Sequence, residues 1–143
     1  MRRLLCIALF LLAAPVWALS PQEQANVEVV QRYFRLMFEV RDADAASVLL
    51  AEGYVSHHQP PETKAQMLAR FKRQQGEARP DYQAPHQPAL RLIAQGDLVF
   101  FQLLAPPRPD KAGDSAKLFF ELYRVRDGLL VEHWDAITEA PSP

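Results

Sequence analysis

The chain has 143 residues, with 16 basic and 17 acidic side chains, a net charge of −1 and one cysteine. That length suits one domain and is short for two. A nearly balanced, slightly acidic chain with no basic block argues against nucleic acid as a partner.

The first segment, MRRLLCIALFLLAAPVWALS, reads as export machinery. Arg2 and Arg3 form a positive start, Leu4 to Leu12 an apolar run, and Val16-Trp17-Ala18 a small-x-small cleavage site. This is the anatomy of a secretory signal peptide over 1–18. The run is short for a membrane span, which needs about 20 residues. Cleavage would leave a single domain over 19–143, periplasmic or secreted and no longer tied to a membrane. Cys6 would leave with the signal, so the mature chain would have no disulfide, thiol nucleophile or Cys-ligated metal. Losing Arg2 and Arg3 takes the basic residues from 16 to 14 against 17 acidic ones, a net charge of −3.

Residues 22–41 place Val27, Val30, Phe34, Met37 and Phe38 at helical spacing, which predicts an amphipathic helix. Asp42 or Asp44 is placed to cap a short second helix through Leu50, packed by Val48 and Leu49. GYVSHHQPP reads as a loop, and Thr63 as the cap of a third helix, KAQMLARFKRQQ. From Ala89 the period changes to two. Segments 89–95, 97–105, 116–126 and 129–138 read as strands, with turns at Gln95-Gly96-Asp97 and Arg126-Asp127-Gly128. Helices followed by antiparallel strands define an α+β domain with helices on one face of a sheet.

Alternation sorts each strand into two faces. Leu129, Val131, His133, Asp135 and Ile137 would share one, leaving Leu130, Glu132, Trp134 and Ala136 on the other. Gln102 falls in a row with Leu98, Phe100 and Leu104, and Glu121 in a row with Phe119, Tyr123 and Val125. His133 and Asp135 would stand roughly 7 Å apart on one face. Apolar rows holding a few polar groups predict a ligand pocket. Four histidines without ligand spacing predict no metal.

GYVSHHQPP, RLIAQGDLVFFQ and FFELYRVRDGLLVEHWDAIT together resemble the SnoaL-like proteins of the nuclear transport factor 2-like superfamily. The likeness runs from about Val27 to Thr138. It implies a cone-shaped, strongly curved antiparallel sheet wrapped around N-terminal helices. Its best-known members are polyketide cyclases that close rings by aldol condensation without metal or cofactor. Carried onto this chain, the resemblance makes Asp135 the acid/base and His57 the assisting loop histidine; on the enzyme reading His133 or His57 would hold the developing enolate oxygen. His58 stands where the family often has Asn, and Gln102 where many members have His. Tyr54, Glu121 and Trp134 complete the expected substrate contacts. Two readings stand: a cofactor-independent cyclase or isomerase acting on a small apolar carbonyl compound, or a non-catalytic small-molecule-binding protein. Leu118, Phe120, Leu122, Leu130 and Trp134 would form an apolar outer face, which predicts a homodimer.

Overall fold

A computed structural model describes residues 18–76, 89–107 and 112–140. The predicted signal peptide therefore lies, but for Ala18, outside the described residues. Among the described residues no helix is long and apolar enough to cross a membrane.

Helix α1 (Pro21–Phe34) starts from a capping box in which Ser20 and Glu23 satisfy each other's backbone N–H groups. Glu23 also accepts from the Gly96 N–H at 2.9 Å, tying the helix start to a sheet turn. Those backbone hydrogen bonds, from Ser20 first and Gly96 next, hold its carboxyl below the usual value. The predicted helix over 22–41 does not stay α-helical: Arg35–Val40 is one π-helical stretch, closed by Arg41 at φ 61°. The wider winding turns Met37 inward, where it is buried. Asp42 caps α2 (Ala43–Ser47), which stops short of Leu50. Leu49 is buried as expected, whereas Val48 points outward and is exposed.

The sheet has six strands in the order β2-β1-β6-β5-β4-β3 and is open at both edges. Strands β3 (Arg91–Gln95), β4 (Leu98–Ala105), β5 (Lys117–Arg126) and β6 (Leu129–Glu139) form the expected antiparallel meander. Asp127 and Gly128 both take positive φ, 51° and 74°, as the tight β5–β6 turn requires. The part read as a loop is in large measure a strand. Strand β1 (Leu50–Ser56) runs parallel to β6, and β2 (Glu62–Thr63) leads into helix α3 (Lys64–Gly76). Thr63 and Gln66 form the start of α3 in the manner of a capping box.

The helices cover one face of the sheet. Val30, Tyr33 and Met37 meet Met67, Phe101 and Leu130 in one buried cluster. A bulge corrects the predicted faces of β6. Arg124 pairs with Glu132 but Val125 pairs with Leu130, so Val131 is an extra residue. Leu130 therefore faces the helices and is fully buried, not on the apolar outer face. On β4 the inward residues are Val99, Phe101 and Leu103. Gln102 falls between them, on the outer face, and is not a pocket residue.

Candidate functional site

The inner face of the sheet gathers its polar groups where β1, β6 and β5 run side by side. Ser56 is in register with His133, Tyr123 with His133, and Glu121 with Asp135. His58 follows β1 and comes back to the same face. Because β1 alternates, His57 and His58 part company. His58 Nδ1 meets Asp135 Oδ2 at 2.9 Å on the inner face. His57 turns to the outer face, stacks on Trp134 with ring centroids 4.9 Å apart, and meets Glu132 Oε1 at 2.9 Å. The role expected of His57 beside Asp135 falls by position to His58. Trp134 is likewise an outer-face residue, with the Arg124 guanidinium 5.3 Å from its ring. Gln102 sits there too and accepts from Arg91 Nη1 at 3.2 Å.

Four expected residues do converge on the inner face with His58: Asp135, His133, Glu121 and Tyr54. Two carboxylate–imidazole pairs stand abreast. In the deeper one His133 Nε2–H donates to Glu121 Oε2 at 2.6 Å. Oε2 is an acceptor here, since it also takes the Tyr123 hydroxyl, so that nitrogen carries the hydrogen, and Nδ1 is left to the Ser56 hydroxyl at 3.2 Å. Tyr123 adds a second donor to Glu121 Oε2 at 3.3 Å, and its ring stacks on His133 at 4.5 Å. Both nitrogens of His133 are thus engaged, which removes it from direct contact with a substrate. The outer pair is more open: the side chain of His58 is 40% exposed and that of Asp135 14%. Asp135 Oδ1 has no hydrogen bond among the described residues.

Beside this pair Arg70 clamps Glu62 with both Nε and Nη2, at 2.8 and 2.7 Å. The Arg70 hydrogen bond holds the Glu62 carboxyl below its usual range. Tyr54 is buried, and its hydroxyl has no hydrogen-bond partner among the described residues. Tyr33 and Ser56 stand beside it without completing one. Burial first, then the nearby Tyr33 and Glu121, push this hydroxyl far above its usual value, so it stays a donor. Burial acts the same way on Tyr33 and Tyr123. Ser56 is the residue that sequence reasoning passed over; it stood next to His57 in a segment taken for a loop.

At the other end of the sheet a depression of about 530 Å³ is lined by Gln22, Asn26, Asp97, Arg126 and Asp127. It holds none of the expected site residues, and Asn26 is spent on Gln22 and the Gly96 carbonyl. Among the described residues no cluster of three or more His, Cys, Asp or Glu could hold a metal ion.

An open six-stranded sheet with helices on its inner face is the architecture of nuclear transport factor 2-like proteins. Three solved structures share it. A Kribbella flavida protein named as a suspected ketosteroid isomerase is 19% identical, with TM-score 0.63 over 85% of this chain and 84% of its own. An epoxide hydrolase of Mycobacterium tuberculosis is 15% identical, with TM-score 0.63 over 82% and 86%. IdmH of Streptomyces antibioticus, named as a suspected polyketide cyclase, is 18% identical, with TM-score 0.60 over 78% and 91%. No curated protein matches the chain in sequence. The model of the SnoaL-like domain matches residues 30–133. The chain belongs to the SnoaL-like family.

Proposed function

We propose that this is an exported SnoaL-like protein that moves protons on a small, mostly apolar carbonyl compound, without metal or cofactor. The reaction class is aldol-type ring closure or isomerisation. The observation that carries the reading is Asp135. One of its oxygens is held by His58, and the other has no hydrogen bond among the described residues, on the helix-covered face of the sheet. A carboxylate fixed in that way is a positioned base: it removes a proton α to a carbonyl. The Tyr54 hydroxyl is sealed beneath the site, with no hydrogen-bond partner among the described residues, so it is not itself in reach of a substrate. His58 Nδ1–H donates to Asp135 Oδ2 and holds the carboxyl in place while the other oxygen takes the proton. Periplasmic or secreted location rests on the charge and hydropathy of residues 1–18.

The non-catalytic reading has one observation in its favour. Of the residues the family resemblance assigns, His57, Gln102 and Trp134 lie on the outer face, which leaves a sparser set around Asp135. In that case the site would hold a ligand of the same class, oriented by Asp135 and His58. Asp135→Asn separates the two. A catalyst loses turnover of its carbonyl substrate while still binding it; a binding protein shows no turnover in either form.

A further inference from the structure

Glu121 is the less obvious half of the site. A residue kept only to hold His133 and Tyr123 needs one oxygen for both, and Oε2 serves both. Oε1 makes no hydrogen bond among the described residues, yet it is not among the sealed, unsatisfied atoms, so it keeps some exposure. Leaving a bare carboxylate oxygen in a side chain only 10% exposed is costly unless something meets it there. Glu121 and Asp135 are register partners across β5 and β6. Directly opposed residues place their Cβ atoms about 4.5–5.5 Å apart on one face. The result is two carboxyls side by side, each with one oxygen clamped by an imidazole and the other open. The clamps are unequal. His133 is fixed at both nitrogens, by Glu121 and Ser56, and cannot itself reach a substrate. His58 is fixed at Nδ1 only, at the open side.

We propose that Glu121 is a second catalytic carboxyl: Asp135 Oδ1 takes a proton from one carbon of the substrate, and Glu121 Oε1 gives one to another. The inference rests on the proton-transfer reading of Asp135. For a β,γ-unsaturated ketone the step balances as follows. The C2–H bond breaks, its proton goes to Asp135, and its electron pair enters a dienolate with the negative charge on oxygen. Glu121 starts the cycle with a proton on Oε1, while Oε2 accepts from His133 and Tyr123; that O–H bond breaks as the new C4–H bond forms, the charge passes from the substrate oxygen to Glu121, and the double bond ends conjugated with the carbonyl. Asp135 is left protonated and Glu121 ionised, and a proton passing through solvent from one neighbour to the other closes the cycle. Ser56 and His133 are positioning residues in this scheme, since they aim Glu121 and touch no substrate.

The test uses the full domain with 3-cyclohexen-1-one in deuterated buffer. Deuterium exchange at C2 is read by mass spectrometry and conjugation by ultraviolet absorbance, for the wild type, Asp135→Asn, Glu121→Gln and Glu121→Asp. Expected are deuterium at C4 of the wild-type product, loss of both exchange and conjugation in Asp135→Asn, and continued exchange in Glu121→Gln with conjugation slowed at least about 30-fold, within the range general acid–base groups contribute. Glu121→Asp, which keeps the carboxyl but draws it back, should fall between. Protium transferred to C4, conjugation in Glu121→Gln within about threefold of wild type, or exchange and conjugation falling together in that variant would each overturn the role of Glu121. A wild type that exchanges no faster than buffer, or an Asp135→Asn variant that exchanges like the wild type, overturns the reading of Asp135 and this inference with it.

Discussion

Adjacent polar residues on one strand face opposite stability tests. Asp135 is held by one hydrogen bond and has an open oxygen, and asparagine can still accept from His58. Asp135→Asn should therefore melt within about 1 kcal/mol of wild type while losing turnover, the cost of a single modest hydrogen bond. His133 is different. Its ring is stacked on Tyr123 and satisfied at both nitrogens. His133→Gln leaves Glu121 or Ser56 without its partner, and should cost about 1–3 kcal/mol in thermal or urea unfolding. Equal melting of the two variants would show that the deeper pair is not structurally engaged. Glu62 carries a pH test. Its folded value lies below the ordinary 4.5 because Arg70 hydrogen-bonds the carboxylate. Unfolding at low pH therefore takes up a proton, and the stabilising contribution is complete above 4.5 and fades as the pH falls below it. Melting temperatures from pH 6 to pH 3 should fall less steeply in Glu62→Gln than in wild type; parallel curves would remove Glu62 from the acid limb.

At the scale of the element, alternation along β1 decides which histidine matters. His58→Gln should lower turnover by about tenfold or more, as expected when the partner that orients a general base is lost. His57→Phe keeps a ring against Trp134 on the outer face and should leave turnover near wild type. A larger loss in His57→Phe than in His58→Gln would reverse the assignment of faces. This is also where the sequence was hardest to read. Helix α1, α3 and the four strands of the meander were legible because a face buried along an element repeats at 3.6 or 2 residues. Strand β1 was not, because Glu52 and Gly53 break its apolar pattern and its partner β6 is more than 70 residues away. Without that strand, nothing separated two neighbouring histidines. The bulge at Val131 was hidden for a related reason: an extra residue leaves the composition of a strand unchanged and reverses the face of everything on one side of it. His133, Asp135 and Glu121 still fell together, because they all lie on the same side of the bulge. Leu130 went to the wrong face because of that bulge, and Gln102 because an apolar row on a two-sided sheet does not say which side the helices cover.

For the whole molecule, export and association are the open quantities, and one residue reports on both. Removal of residues 1–18 takes Trp17 away and leaves Trp134 as the only tryptophan. N-terminal sequencing of the exported protein should start near Leu19; retention of Met1 in a membrane fraction would contradict cleavage. Trp134 then serves as a clean probe of the outer face. That face carries Phe100, Phe120, Leu122 and Trp134 in half-buried positions, and Ile93 at 59% exposure. Phe100 and Phe120 lie next to each other, with ring centroids 6.4 Å apart. A polar border runs beside them, in which Glu132 is shared by His57 and Arg124, and Asp97 meets Arg124 and Arg126. An apolar field with a charged rim is the composition of a surface that pairs, and contiguous apolar area of this kind is rarely left in water. A second copy of the chain is the simplest occupant, since each copy brings both the apolar field and a rim holding both signs of charge. Light scattering of the mature protein should report about twice the mass of one chain, with Trp134 shielded from iodide. Phe120→Asp puts a carboxylate in the middle of the field on each copy, which should halve the scattering mass and open Trp134 to quenching while β5 stays folded. A wild type that scatters as a single chain with Trp134 freely quenched would mean that the outer face is left to solvent.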